Sequence, residues 1–128
     1  MSRSIHAPDA AHTNPIPSAS IVGNLLASSL ITGRDPATGS FPPSFDAQCN
    51  IMFAGVKAVV EAAGGHLGDI VRITIWVEDR MLREKINKVW VAMFPDPDAR
   101  PARLTLNRPL EQGKLIECEI LAVIGHDG

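Results

Sequence analysis

Apolar positions along the chain follow two alternating periods. From Cys49 onward, Cys49, Met52, Phe53, Val56, Val59, Val60 and Ala63 fall at i, i+3, i+4, i+7, i+10, i+11 and i+14, one continuous face of a helix. Ser44 is placed to cap its first turn, Asp46 sits near the positive end of its dipole, and Gly64-Gly65 supplies a left-handed stop. Helical spacing returns after Asp79 with Leu82, Ile86, Val89, Trp90 and Met93, while Arg80, Arg83, Glu84, Lys85 and Lys88 form the wet face. Pro95 and Pro97 end this second helix. Between the two, Asp69 to Val77 alternates, which predicts a strand with Val71, Ile73, Ile75 and Val77 on one face and Ile70, Arg72, Thr74 and Trp76 on the other.

Shorter runs flank these elements. Ile21-Val22, Leu25-Leu26 and Leu30-Ile31 surround Gly23-Asn24 and read as two strands with a turn, followed by a second turn over Arg34 to Gly39. Two strands, Ala102 to Asn107 and Leu115 to Ile124, close the chain, and the last carries Ile116, Cys118, Ile120, Ala122 and Ile124 on one apolar face. Pro8, Pro15 and Pro17 break the first twenty residues, so residues 1–13 are expected as a flexible arm leading into a single domain over 14–125. Two helices are too few to cover both faces of such a sheet and are expected on one side, an α+β arrangement. Leu115, Leu121, Val123, Trp76 and Ile70 on the other side then need a cover, and a second copy of the chain is the simplest.

Composition narrows the partners. Twelve Lys and Arg against 14 Asp and Glu leave a net charge of -2 with no basic block, which argues against nucleic acid or anionic lipid. No segment approaches the ~20 apolar residues of a membrane span, and the polar, proline-broken start has no apolar signal core. With Cys49 and Cys118 its only cysteines, the chain is expected in the reducing cytoplasm. Both lie on apolar faces and read as buried thiols. His6, His12, His66 and His126 show no i, i+4 pairing, so no metal site is expected, and no glycine-rich phosphate loop opens a helix.

The residues best suited to chemistry lie at the end of the chain. Arg103, Thr105 and Asn107 share one face of a strand, and Glu117 and Glu119 share a face of the next. Were these strands an antiparallel hairpin centred near Leu110, Arg103 would oppose Glu117; a shifted register would bring it to Glu119 instead. One reading is a structural cross-strand ion pair worth ~0.2–1 kcal/mol. The other has Arg103 grip a substrate carboxylate in bidentate fashion while Glu117 moves a proton.

Gly23-Asn-Leu-Leu, Asp35-Pro-Ala-Thr-Gly39, Gln48, Ala62-Ala-Gly64, Gly68-Asp-Ile-Val-Arg72, Asn87, Pro101-Ala-Arg103 and Ile116-Glu-Cys-Glu119 together resemble the reactive intermediate deaminase family, also labelled endoribonuclease L-PSP. The likeness extends from about residue 14 to 124. It implies a chorismate-mutase-like α+β fold with a six-stranded mixed sheet and two helices on one face. It also implies a homotrimer with pockets between subunits, and hydrolysis of enamines or imines of small 2-oxo acids without a cofactor. By position, Arg103 matches the carboxylate-binding arginine, Glu117 the glutamate that places or activates water, and Thr105 a residue whose backbone lines the pocket.

Three departures touch that pocket. Asn14-Pro-Ile16 stands where a Gly-Pro-Tyr is usual, and the chain has no tyrosine. Leu30 follows Ser29 where glycine is usual, and Arg83 replaces an aromatic residue. Ile16, Leu30 and Arg83 are therefore candidate substrate-binding residues, with Arg83 either meeting a second acidic group or facing solvent. The competing functional reading is a trimeric binder that holds a small carboxylated metabolite without turning it over. Ribonuclease activity, suggested by the family label, finds no basic groove here.

Overall fold

The helix expected around Met52 runs over Phe45–Ala62 (α1), and the Ser44 hydroxyl accepts a hydrogen bond from the Ala47 N–H at 3.2 Å. Cys49, Met52, Phe53, Val56, Val59 and Val60 are all buried beneath it. The second helix, Arg83–Met93 (α2), buries Ile86 and Trp90 and leaves its charged side outside. The structure is a computed structural model that describes residues 1–111 and 113–125; His126 lies outside the described residues.

Among the described residues, seven strands form one sheet: Arg3–Ile5 (β1), Ala19–Val22 (β2), Leu25–Ser28 (β3), Ile31–Thr32 (β4), Ile70–Val77 (β5), Ala102–Asn107 (β6) and Ile116–Val123 (β7). Six lie side by side in the order β1-β2-β3-β7-β5-β6, and the two-residue β4 pairs with β7 off this path. The pairing of β5 with β6 is parallel and all others are antiparallel, so the sheet is mixed. Both helices pack on one face, over a core that includes Ile73, Ile75, Val77, Ile116, Cys118 and Ile120. This is the α+β architecture expected from the spacing of apolar residues.

The chain departs from the expected layout in three places. First, β6 and β7 form no hairpin. A strand that returns through a helix runs parallel to the strand it left, and β5, α2 and β6 form such a unit; β7 then pairs with the opposite edge of β5. Second, the register shifts between Ile70 and Arg72. A bulge inserts one residue and exchanges the faces on either side of it, so Ile70 is buried while Val71 is 51% exposed. Third, the sheet begins before residue 14. Arg3–Ile5 contains none of the prolines and pairs with β2, Ile5 and Ala7 enter the core, and the Ser18 hydroxyl holds the Ala7 N–H at 3.1 Å.

Opposite the helices the sheet is open. Val22, Leu25, Leu104 and Leu106 lie there 55%, 53%, 45% and 44% exposed, with Leu121 and Val123 half-buried among them. Ile70 and Leu115, expected on this face, pack against the core instead. Two contacts then seat the loops around β7. Gly33 lets the chain pass so close to α1 that a Cβ there would lie 2.4 Å from the Gln48 Cβ. Gln48 is fully buried; its amide donates to the Pro42 carbonyl (2.7 Å) and the Gly113 carbonyl (2.9 Å) and accepts from the Leu115 N–H (2.9 Å).

Candidate active site

The six candidate residues fall into two groups. Arg103, Thr105 and Arg83 meet at the free edge of the sheet. Arg103 pairs with Ile73 across β6 and β5, so its side chain points to the helix side, where its Nη2 donates to Asn87 Oδ1 at 2.6 Å. The guanidinium also lies 5.0 Å from the ring centre of Trp90, within the range of a cation–π contact. Arg83, on the first turn of α2, is exposed and donates from Nη2 to the Thr105 carbonyl at 3.2 Å. Burial, and then the nearby Arg83 charge, lower the Arg103 pKa. The Thr105 hydroxyl oxygen is buried and has no hydrogen-bond partner among the described residues.

Glu117 stands on the open side. It pairs with Trp76 of β5 and Thr32 of β4 and is only 4% exposed. Its Oε1 accepts from Arg108 Nη2 at 2.6 Å and its Oε2 lies 3.5 Å from Lys114 Nζ. Arg108 in turn stacks on Trp76, 4.2 Å from the ring centre. Burying a carboxylate is costly unless counter-charges approach it closely, and these two cations provide them. Glu119, opposite Thr74 and half-buried, shares this face.

Arg103 therefore opposes neither Glu117 nor Glu119. With β5 between their strands, the two backbones lie about 10 Å apart, and the side chains of Arg103 and Glu117 leave opposite faces. The cross-strand ion pair is overturned for the same reason. The carboxylate is matched instead by Arg108 and Lys114, which come from the loop joining β6 to β7.

Ile16 and Leu30 line a cleft of about 790 Å³ between the N-terminal segment and the loop after β4. Thr32, Arg34, His12 and Lys114 also line it, and Lys114 joins the cleft to Glu117. His12 is half-buried; burial first, then the charge of Arg34, lower its pKa, while a hydrogen bond with the Leu30 backbone opposes the shift. Ile16 is 45% exposed at the rim, where its side chain offers surface and no proton. Cys49 and Cys118 are buried and free, and burial pushes the Cys49 thiol up to about 12 and the Cys118 thiol further. Neither is a ready nucleophile. Among the described residues no group of three or more His, Cys, Asp or Glu side chains is arranged to hold a metal ion, and no helix is long and apolar enough to cross a membrane.

Sequence reasoning missed Arg108, Lys114 and His12. Arg108 and Lys114 belong to a loop whose path depends on where β6 lies, and His12 belongs to a segment read only as an arm. Asn87 stood out in the second helix, but its partner became visible only once α2 crossed β6.

Comparison with known proteins places this geometry. Residues 5–124 match the model of the family described as endoribonuclease L-PSP. The chain is 36% identical over 104 residues to the 2-iminobutanoate/2-iminopropanoate deaminase of Escherichia coli K12, covering 80% of this chain and 81% of that protein. Among solved structures, RidA from an Antarctic Psychrobacter species superposes with a TM-score of 0.87 at 32% identity, covering 95% of this chain and 99% of that one. Escherichia coli TdcF with bound serine gives a TM-score of 0.87 at 27% identity, over 96% and 99% of the two chains. The chain belongs to the endoribonuclease L-PSP family, alongside RidA.

Proposed function

We propose that this protein is a hydrolase that converts the imine of a small 2-oxo acid to the 2-oxo acid and ammonia, working as a homotrimer. The observation that carries the reading is Arg103. Its guanidinium is held at the free sheet edge by Asn87 and Trp90 and has no carboxylate partner among the described residues. An anchored, unneutralised guanidinium suits a planar carboxylate. The 36% identity to a protein named for imine deamination supports the same chemistry.

The reaction balances with water alone. An enamine first takes a proton at carbon and gives one up from nitrogen, becoming the imine. Water adds to the imine carbon as nitrogen gains a proton, and the C–N bond of the resulting carbinolamine breaks to release ammonia and leave the oxo acid. No electrons are exchanged with a third partner, so the reaction calls for no redox cofactor. Arg103 and the Thr105 backbone orient the substrate, and Glu117 places the water, with orientation supplying much of the gain.

Within one copy these groups lie on opposite faces of the sheet, so a single pocket containing both needs an adjoining copy. We assign the open apolar face around Val22, Leu25 and Leu106 to that contact. The β6 edge of one subunit then brings Arg103 and Thr105 to the cleft of the next, lined by Ile16, Leu30 and the Glu117–Lys114 pair. Two buried free thiols support a reducing compartment, the cytoplasm.

One contact favours the competing reading of a carboxylate binder without turnover: Glu117 is already matched by two cations. Ammonia release from freshly generated 2-aminoacrylate separates the two, measured against the uncatalysed rate. We expect acceleration by the native protein and its loss in Arg103→Ala with the trimer intact. Tight binding of 2-oxo acids with no acceleration overturns the hydrolase in favour of the binder.

A further inference from the structure

From the placement of Arg83 beside Arg103 we infer that the site selects substrates with a second acidic group, the imines of 2-oxo dicarboxylic acids. This inference rests on the hydrolase reading and specifies its substrate class.

Two guanidiniums converge on the same stretch of β6. Arg103 is fixed from the helix side by Asn87, and Arg83 reaches from α2 to the Thr105 carbonyl at 3.2 Å. Neither has a carboxylate within ion-pair distance among the described residues, whereas Glu117 on the other face has two cations. Like charges brought together cost free energy unless an anion lies between or beside them. The penalty is visible in Arg103, whose charged form is disfavoured by burial and by Arg83.

The hydrogen bonds constrain what the pair can hold. A guanidinium has five N–H donors in a rigid fork. Arg103 spends one on Asn87 and Arg83 one on a backbone carbonyl, so each keeps donors for an anion. A monocarboxylate satisfies one fork. A diacid with a short linker satisfies both, and its second negative charge offsets the repulsion between them. A phenylalanine or an aliphatic residue at position 83 would offer that second group no charge and no donor.

The test compares stable product analogues and then turnover. By calorimetry at low ionic strength, 2-oxoglutarate is expected to bind the native trimer about tenfold more tightly than 2-oxobutanoate, as a partly screened extra guanidinium–carboxylate contact allows. Arg83→Met weakens 2-oxoglutarate binding more than 2-oxobutanoate binding and so removes that preference, and Arg83→Lys retains part of it. Arg83 is exposed and outside the core, so these variants keep the fold. For turnover, imines generated in place from glutamate and from 2-aminobutanoate by an amino acid oxidase are compared, and kcat/KM follows the same order. Equal affinity for mono- and diacid in the native protein, or a preference that survives Arg83→Met, overturns the inference while the hydrolase reading stands. Binding preference without acceleration of any imine overturns the hydrolase reading and leaves diacid selection intact.

Discussion

Replacing Gln48 with leucine tests how the core sets the position of the site. Gln48 is fully buried, and its amide joins the Pro42 carbonyl, the Gly113 carbonyl and the Leu115 N–H at 2.7, 2.9 and 2.9 Å. Leucine is of similar size and has no polar atoms, so the substitution takes the Gln48 partner away from three part-buried backbone groups. At about 1 kcal/mol for each hydrogen bond, the expected loss is about 3 kcal/mol. For a chain of this length that lowers Tm by roughly 10 °C. The melt is followed by circular dichroism at one fixed protomer concentration, because the Tm of an oligomer such as the trimer we propose depends on concentration.

The same substitution reads the site. Gly113 and Leu115 flank Lys114, which lies 3.5 Å from Glu117, so freeing them loosens the cation beside the carboxylate. Ammonia release well below the melt is therefore expected to fall although the protein is folded. A Tm change under about 3 °C would refute the energetic account, since it corresponds to less than one net hydrogen bond. A full drop in Tm with unchanged activity would refute the link from Gln48 to the site.

Two further predictions concern acid and assembly. His12 has its pKa lowered from 6.5 in the fold, chiefly by burial and then by Arg34, so below pH 6.5 the unfolded chain takes up a proton that the folded chain refuses. Stability is thus greatest above that value and declines as the pH falls toward the folded-state pKa, and His12→Asn flattens this decline in denaturant titrations. Leu106→Glu places a charge on the open face and is expected to give monomers by sedimentation and to abolish turnover; a trimer that persists would show that assembly uses another surface.

The helices and the last strand were legible because their signal is local. Period alone places Met52, Val56 and Val60 on one side of α1 and Ile116, Cys118 and Ile120 on one side of β7, and burial follows. Pairing carries no such local signature. Arg103 and Glu117 alternate correctly within their own strands, yet the insertion of β5 between them sends one to each face. The bulge at Val71 likewise needs the partner strand to be seen. The partners of Glu117 come from a loop with no periodicity, so Arg108 and Lys114 became visible only when that loop had been led back from β6 at the edge to β7.

In the trimer we propose, β6 contributes side chains to a neighbour and no strand, and its free edge explains why. An edge presents unpaired N–H and C=O groups, a template for further pairing. Along a strand the two backbone groups of one residue point the same way and alternate with the next, so the Thr105 carbonyl bonded to Arg83 marks Arg103, Thr105 and Asn107 as the outward-facing residues. Arg83 occupies the middle of that row. Pro101 and Pro109 bracket β6 and lack donors. Strand addition is thereby blunted, and the open sheet face remains as the exposed apolar surface. Arg83 thus protects the edge and supplies a charge beside Arg103. Substituting it removes both effects, and the calorimetric comparison isolates the second because it sets two ligands against the same protein.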